Sequence, residues 1–113
     1  MPQPVAMFEV ISADPKRAQS FYGELFDWTF SVDEAMGGYG LTEAGIAGGV
    51  GPSTTAGDTG VKVYVRVDDL ASYLERAERL GATTLVGPTA LPGDYGSFAI
   101  FADPDGNAVG LWA

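Results

Sequence analysis

One stretch in the second half of the chain decides the fold: residues 61–70, with the sequence VKVYVRVDDL. Valine occupies every second position from Val61 to Val67. This period of two predicts a β-strand with one apolar face, which we expect to pack on a helix. Asp68 and Asp69 follow at once, and an aspartate here can accept hydrogen bonds from the free N–H groups of a helix start. The stretch therefore predicts a strand that leads into a helix.

The rest of the second half continues this unit. Apolar residues that recur at helical spacing predict a helix with one apolar stripe, and Gly81 suits the position after the helix end. The stripe comprises Leu70, Tyr73, Leu74, Ala77 and Leu80. Three strands are predicted over residues 83–86, 96–101 and 108–112, and the sequence DPDGN at 103–107 predicts a turn. The second half therefore has the order βαβββ.

The first half has the same order of elements. Residues 5–11 predict a strand in which Phe8 and Val10 share one face, and Asp14-Pro15 predicts a helix start. A stripe of apolar residues then predicts a helix that faces the core. The stripe comprises Ala18, Phe21, Tyr22, Leu25 and Phe26. The three remaining strands are predicted over residues 29–32, 39–43 and 46–50.

Together the two halves predict an α+β fold made of two βαβββ repeats, at about residues 5–50 and 61–113. An offset of 55 aligns Phe8 with Val63 and Leu25 with Leu80, so the repeat lies in the pattern more than in residue identity. Residues 51–60, GPSTTAGDTG, are polar and predict a flexible linker between the repeats. A length of 113 residues suits one domain, so we expect a single domain over residues 1–113.

Charge and composition exclude several classes of function. The chain has 6 basic and 15 acidic residues, and its net charge of −9 would be repelled by nucleic acid and by anionic membrane surfaces. Neither cysteine nor histidine is present, which rules out disulfides, thiolate nucleophiles and histidine bases. No signal peptide is visible, and no apolar run approaches the roughly 20 residues of a membrane helix. The sequence therefore predicts a soluble, cytoplasmic protein.

Five motifs carry a resemblance to a known family: FYGELFDW at 21–28, VDDL at 67–70, LGA at 80–82, DPDGN at 103–107 and GLW at 110–112. In this order they resemble the vicinal oxygen chelate superfamily, which includes glyoxalase I, ring-cleaving extradiol dioxygenases, fosfomycin-resistance enzymes and bleomycin-sequestering proteins. The resemblance covers nearly the whole chain. It implies two curled mixed sheets of four strands around a cavity, with the helices outside.

The resemblance also implies where metal-using relatives hold a divalent ion. The ligand positions of the first strands fall on Met7 and Lys62, and those of the last strands fall on Gly110 and, by the repeat, Gly49. A thioether, an ammonium and two glycines do not supply the oxygen or imidazole donors that such ions need. We therefore predict a protein without a metal site and without a cofactor.

Strand alternation predicts a set of side chains on the concave face of the sheets. Glu9 with Lys62 or Arg66 could orient a polar ligand, while Tyr64 and Trp112 offer area for stacking. The full ligand-binding set is Met7, Glu9, Lys62, Tyr64, Arg66 and Trp112. The alternative interpretation is a partly solvated groove in which these charges simply pair with one another.

Other notable residues have simpler interpretations. Trp28, Tyr39 and Tyr95 lie near strand ends, where aromatic side chains more often pack at a rim or a dimer contact than bind a ligand. The run GIAGGVG at 45–51 lacks the Lys-Ser/Thr pair and the helix start of a phosphate loop. It therefore predicts strand glycines that permit close approach of the backbone.

Two functions from different classes fit these observations. The first is a protein that sequesters a small aromatic or cationic compound, similar to bleomycin-resistance proteins. The second is a metal-independent isomerase, epimerase or lyase that uses Glu9 as base, with Lys62, Tyr64 or Arg66 stabilising an oxyanion. A third possibility is an accessory or regulatory module. In each case we expect a homodimer, since a second copy adds buried area to a small core.

Overall fold

A computed structural model describes residues 2–52 and 60–113. The elements, in chain order, are strand β1 (Val5–Ile11), helix α1 (Pro15–Phe26), strands β2 (Ser31–Asp33), β3 (Tyr39–Glu43), β4 (Ala47–Gly51) and β5 (Gly60–Arg66), helix α2 (Leu70–Arg79), and strands β6 (Thr83–Ala90), β7 (Ser97–Ala102) and β8 (Ala108–Trp112). A single 3₁₀ turn at Glu34–Met36 precedes β3. These elements confirm the α+β class and the βαβββ order of both repeats.

The chain divides into two compact units that do not coincide with the two repeats. The first unit comprises residues 7–62, and the second joins the residues up to Ala6 to residues 63–113. The predicted linker at 51–60 begins and ends in strand residues, Gly51 and Gly60, and its residues 53–59 lie outside the described residues. A single domain over residues 1–113 stays a prediction.

In the first unit the strands lie in the order β2, β3, β4, β1. β4 runs parallel to β1, with Met7 opposite Ala47 and Glu9 opposite Gly49, while the other pairs are antiparallel. The parallel pair follows from the crossover through α1 and two further strands, since strands joined directly by a short turn would be antiparallel.

The second unit repeats this arrangement with β5, β8, β7 and β6. β5 and β8 are parallel, with Tyr64 opposite Gly110. β7 pairs in antiparallel fashion with β8 and with β6, whose pairing shifts register twice. β6 extends to Ala90, beyond the predicted end at residue 86.

The core of the second unit lies between α2 and its strands. Its buried members are Val67, Leu70, Leu74, Ala99 and Leu111. The Asp69 carboxylate caps α2 by accepting from the Ser72 N–H, and Gly81 has a φ of +107° just after the helix. The predicted cap, end and stripe are confirmed except at Leu80, which is 79% exposed at the C-cap position of the helix.

Helix α1 differs from its prediction. Asp14 caps it and Pro15 occupies its first turn as expected, but no α1 residue is buried, and Phe21, Leu25 and Phe26 are all more than half exposed. The reason is Gln19, whose side-chain N–H groups donate to the carbonyl oxygens of Gly38 and Val50 at 2.9 and 2.8 Å. These bonds turn the Gln19 side of the helix toward the strands and leave much of the predicted stripe outside.

An aromatic cluster forms around Tyr22 of α1. Tyr22 stacks on Trp28 at 5.7 Å between ring centroids and on Phe26 at 6.2 Å. Phe8 of β1 reaches the same cluster, with its ring centroid 5.3 Å from that of Trp28. Phe8 thus contacts the aromatic residues around α1, and Trp28 packs inside this cluster.

The valine face predicted for β5 is only partly correct. Val67 is buried and Val65 packs on the core, but Val61 is 70% exposed and Val63 is also exposed. Helix α2 packs mainly on β6 and β7. Within residues 2–52 and 60–113, no helix has the length and apolar character needed to cross a membrane.

Candidate functional site

The first unit holds a buried carboxylate. Glu9 lies on β1 and is 8% exposed. Its Oε2 accepts a hydrogen bond from the Tyr39 hydroxyl at 2.6 Å, and its Oε1 pairs with the Lys62 ammonium at 3.1 Å. Glutamate and lysine are rarely buried unless they pair, so these three side chains form one polar cluster in the first unit.

The Lys62 side chain is only 13% exposed, although its neighbours Val61 and Val63 are exposed. The usual distribution along a strand, with apolar residues inside and charged residues outside, is thus reversed at this point. The ion pair with Glu9 keeps the ammonium from being buried without a partner charge.

Tyr39 on β3 reaches Glu9 on β1 across strand β4, because Gly49 and Gly51 of β4 leave room for its ring. A Cβ atom at Gly49 would lie 2.0 Å from the Tyr39 hydroxyl oxygen, and one at Gly51 would lie 2.2 Å from its Cδ2. The predicted strand glycines are therefore positions of close approach, and the group that approaches is a tyrosine ring. Met7 lies two residues before Glu9 on the same face of β1 and is half-buried.

The second unit contains an equivalent contact between a tyrosine ring and a strand glycine. Tyr64 is buried on β5, opposite Gly110, and a Cβ atom at Gly110 would lie 2.2 Å from Cδ2 of the tyrosine ring. Glu9 is opposite Gly49 in the first unit, and an offset of 55 relates Glu9 to Tyr64. The strand registers therefore support Gly49 and Gly110 as equivalent positions of the two repeats.

Arg66 and Trp112 form the remaining part of the predicted set. The guanidinium carbon lies 4.9 Å from the centre of the indole ring, within range of a cation–π interaction. The indole N–H donates to the Tyr95 carbonyl oxygen at 2.6 Å, which fixes the plane of the ring. Arg66 itself is exposed.

An open groove of about 480 Å³ lies beside this pair in the second unit. Its lining residues are Gln3, Pro4, Arg66, Val67, Asp68 and Ala113. The groove contains one positive and one negative side chain among apolar walls, so it carries little net charge.

The six predicted site residues thus fall into two groups. Met7, Glu9 and Lys62 belong to the first unit, and Tyr64, Arg66 and Trp112 belong to the second. The structure adds Tyr39, which the sequence analysis treated as a rim residue. The signal that could have identified it is the glycine run at 45–51, since unusually small strand residues imply a large neighbour.

The residues at the family's metal positions do not fit a divalent ion. Tyrosine rings fill the space beside Gly49 and Gly110, and the Lys62 ammonium is a cation already paired with Glu9. Among the residues that the structure describes, no three His, Cys, Asp or Glu side chains are grouped so that they could hold a metal ion. The donor set therefore differs in kind from a set of oxygen and imidazole ligands.

A family model described as a glyoxalase-like domain matches residues 7–111. The chain belongs to the glyoxalase-like family. The match includes both βαβββ repeats and every predicted site residue except Trp112, which follows its last residue.

Curated relatives of this glyoxalase-like domain include the anthracycline biosynthesis protein DnrV of Streptomyces peucetius. The two are 30% identical over 126 aligned positions, which cover 95% of this chain and 46% of the relative. The chain thus spans about half the length of the curated relatives it matches.

Two solved structures share the fold of this glyoxalase-like domain. A glyoxalase/bleomycin resistance protein/dioxygenase superfamily member from Vibrio splendidus matches with a TM-score of 0.64 at 14% identity, covering 97% of each chain. The methylmalonyl-CoA epimerase of Mycobacterium tuberculosis matches with a TM-score of 0.63 at 16% identity, covering 96% of this chain and 85% of the epimerase. At these identities the likeness concerns the fold alone.

Proposed function

We propose that this glyoxalase-like domain binds a small aromatic compound without using a metal ion, and that it sequesters the compound rather than converting it. The observation that carries the proposal is the buried cluster of Glu9, Tyr39 and Lys62. Removing two charges from water costs free energy that their mutual attraction often does not repay. A small domain that retains such a cluster is therefore expected to use it for recognition.

The aromatic part of the proposal rests on the second unit, taken by itself, and on the relatives. Trp112 and the exposed Arg66 guanidinium offer flat surfaces of the kind that stack on planar molecules. Two curated relatives are named as anthracycline biosynthesis proteins, so an anthracycline is the natural test compound. A net charge of −9 also favours the approach of a compound that carries an amino group.

Isothermal titration with a commercial anthracycline tests this function. We expect saturable binding to the purified protein, and Trp112→Leu should weaken it by about tenfold because a stacked ring contributes on the order of 1 kcal/mol or more. Trp28→Leu is the matched control, since Trp28 packs in the aromatic cluster of α1. Mass spectrometry of the recovered compound should show no change in mass. Absence of binding to any planar aromatic compound would refute the proposal.

A second candidate function is a metal-independent isomerase, epimerase or lyase. The observation that favours it is the 2.6 Å contact between the Glu9 carboxylate and the Tyr39 hydroxyl, because a carboxylate and a phenol together can transfer protons. In that case Glu9→Gln should abolish turnover and largely preserve affinity. Under sequestration the same variant would alter affinity, and no product would form with either protein.

We further propose that the protein is a homodimer and that α1 lies in its interface. Phe21, Leu25 and Phe26 leave more than half of their surface exposed, and contiguous apolar surface of this kind usually marks an interaction site. In the proposed dimer, a second copy of this chain covers this apolar surface.

A further inference from the structure

The open groove of the second unit contains two charged side chains of opposite sign. Arg66 and Asp68 are both exposed, while Val67 between them is buried. This alternation means that the two charged side chains project to the same side of the extended chain. All the residues that line the groove of about 480 Å³ belong to the second unit. A ligand in this groove therefore needs only the second unit.

Neither charge has a partner in the part of the chain that the structure describes. The ion pairs described there lie elsewhere, and neither the Arg66 guanidinium nor the Asp68 carboxylate takes part in one. Asp69, the next residue, differs because its carboxylate caps α2 by accepting from the Ser72 N–H. Two opposite charges on one side of a groove are complementary to a ligand that carries both charges.

Trp112 orients the Arg66 guanidinium. The centre of the indole ring lies 4.9 Å from the guanidinium carbon, and the indole N–H donates to the Tyr95 carbonyl oxygen, which holds the ring in place. A cation–π contact forms no hydrogen bond, so the five N–H donors of the guanidinium stay available. Arg66 is therefore positioned to hold a carboxylate by two parallel hydrogen bonds.

Charge and shape define the class of ligand. A net charge of −9 opposes a ligand that carries only a carboxylate, whereas a ligand with a carboxylate and an ammonium is neutral overall. Two residues of an extended chain cover roughly 7 Å, so a carboxylate and an ammonium on one carbon atom can contact both Arg66 and Asp68. The apolar walls of the groove suit a ring, and they are formed by Pro4, Val67 and Ala113.

We infer that the groove of the second unit binds an aromatic amino acid in its zwitterionic form. The Arg66 guanidinium donates to the carboxylate of the ligand, the Asp68 carboxylate accepts from its ammonium, and the ring lies against the apolar walls. The inference rests on the aromatic part of the proposed function, since it names the polar groups by which an aromatic compound is recognised. No covalent bond is formed or broken.

Three probes with the same indole ring test the inference: tryptophan, tryptamine, which lacks the carboxylate, and indole-3-propionate, which lacks the amino group. NMR titration of the wild-type protein gives each dissociation constant, and the amide signals of Val67 and Asp68 should shift on binding. Salt at about 0.15 M screens the long-range attraction of the acidic protein for tryptamine. Tryptophan should bind about fivefold more tightly than either other probe, because each exposed charge pair contributes up to about that factor.

Variants then assign each preference to one residue. Arg66→Met should weaken the binding of tryptophan about fivefold and leave that of tryptamine unchanged. Asp68→Asn should weaken tryptophan by a similar factor and leave indole-3-propionate no weaker. Arg17→Met and Asp105→Asn are the matched controls, because both residues are exposed and neither lines the groove. Both controls should bind all three probes as the wild-type protein does.

The outcomes separate the inference from the function on which it rests. If the three probes bind equally, or if Arg66→Met and Asp68→Asn keep the preference for tryptophan, the recognition of charge is wrong while aromatic binding stands. If an anthracycline binds and no indole probe does, the inference alone fails. If neither binds, the proposed function fails as well. Loss of each preference in its own variant, with retention in both controls, would support the inference.

Discussion

Glycine at position 110 makes room for the ring of Tyr64. Cδ2 of that ring would lie 2.2 Å from a Cβ atom at this position, so even a methyl group requires the ring or the strand to move. The ring is buried, and the strands on which the two residues lie are paired directly. The absence of a side chain at Gly110 is therefore a packing requirement of this domain.

We expect Gly110→Ala to lower the free energy of unfolding by about 1–3 kcal/mol, the usual cost of overpacking a core. Chemical denaturation followed by circular dichroism measures this value. Gly87→Ala is the matched control, because a Cβ atom there meets nothing within 4 Å. Equal stability of the two variants would show that the Tyr64 ring does not require the glycine.

The turn at residues 103–107 gives an acid-dependent contribution to stability. The backbone N–H and the side-chain amide of Asn107 donate to the Asp103 carboxylate and lower its pKa below the usual value of 3.8. A lowered pKa means that the stabilisation is present above the ordinary carboxyl pKa and is lost as the pH falls through the lowered one.

We therefore expect Asp103→Ala to be less stable than the wild-type protein at neutral pH, with a difference that shrinks below about pH 4. Melting temperatures measured from pH 7 down to pH 2 would follow it. A difference that stays constant over that range would show that the hydrogen bonds to the ionised carboxylate do not stabilise the turn.

Among the elements, the two helices show what the sequence could and could not predict. Asp14 and Asp69 cap their helices as expected, because a cap depends only on residues three positions away. Which side of α1 faces the strands depends on Gln19, whose partners lie 19 and 31 residues further along the chain. An apolar stripe in the sequence carries no information about such a distant pair of carbonyl groups.

Gln19→Leu tests this account of α1. The variant removes two hydrogen bonds and leaves the Gly38 and Val50 carbonyl oxygens without that donor, so we expect a loss of about 1–3 kcal/mol in the free energy of unfolding. Ser20→Leu places the same side chain at the next position of the helix, which is exposed. It should change the free energy of unfolding by no more than about 0.5 kcal/mol. If Gln19→Leu were more stable, apolar packing would dominate at this position.

The sequence also predicted part of the candidate site and missed another part. Alternation along β1 and β5 was enough to select Glu9, Lys62 and Tyr64, which the structure places in buried or nearly buried positions. Tyr39 was missed because its contact with Glu9 spans 30 residues and crosses strand β4. The exposure of Val61 was missed because a valine pattern does not reveal how much of a strand is covered.

At the scale of the whole molecule, the proposed homodimer makes a prediction for α1. Leu25→Glu places a charge on the exposed apolar surface and should shift the protein from dimer to monomer in analytical ultracentrifugation. Leu80→Glu is the matched control, because Leu80 is 79% exposed at the end of the other helix. A wild-type protein that sediments as a monomer at all concentrations would refute the proposed dimer.

The division of the chain into units also predicts how the protein responds to cleavage of its backbone. Residues up to Ala6 belong to the same compact unit as residues 63–113, and the Arg66 N–H donates to the Pro4 carbonyl oxygen at 2.9 Å. A chain cut between Pro52 and Gly60 would thus separate the second unit from its own N-terminal segment, although the cut lies between the repeats. Neither fragment would hold a complete unit, so each should remain unfolded alone and regain structure on mixing. The two repeats would then behave as complementing fragments, the property on which a split reporter depends.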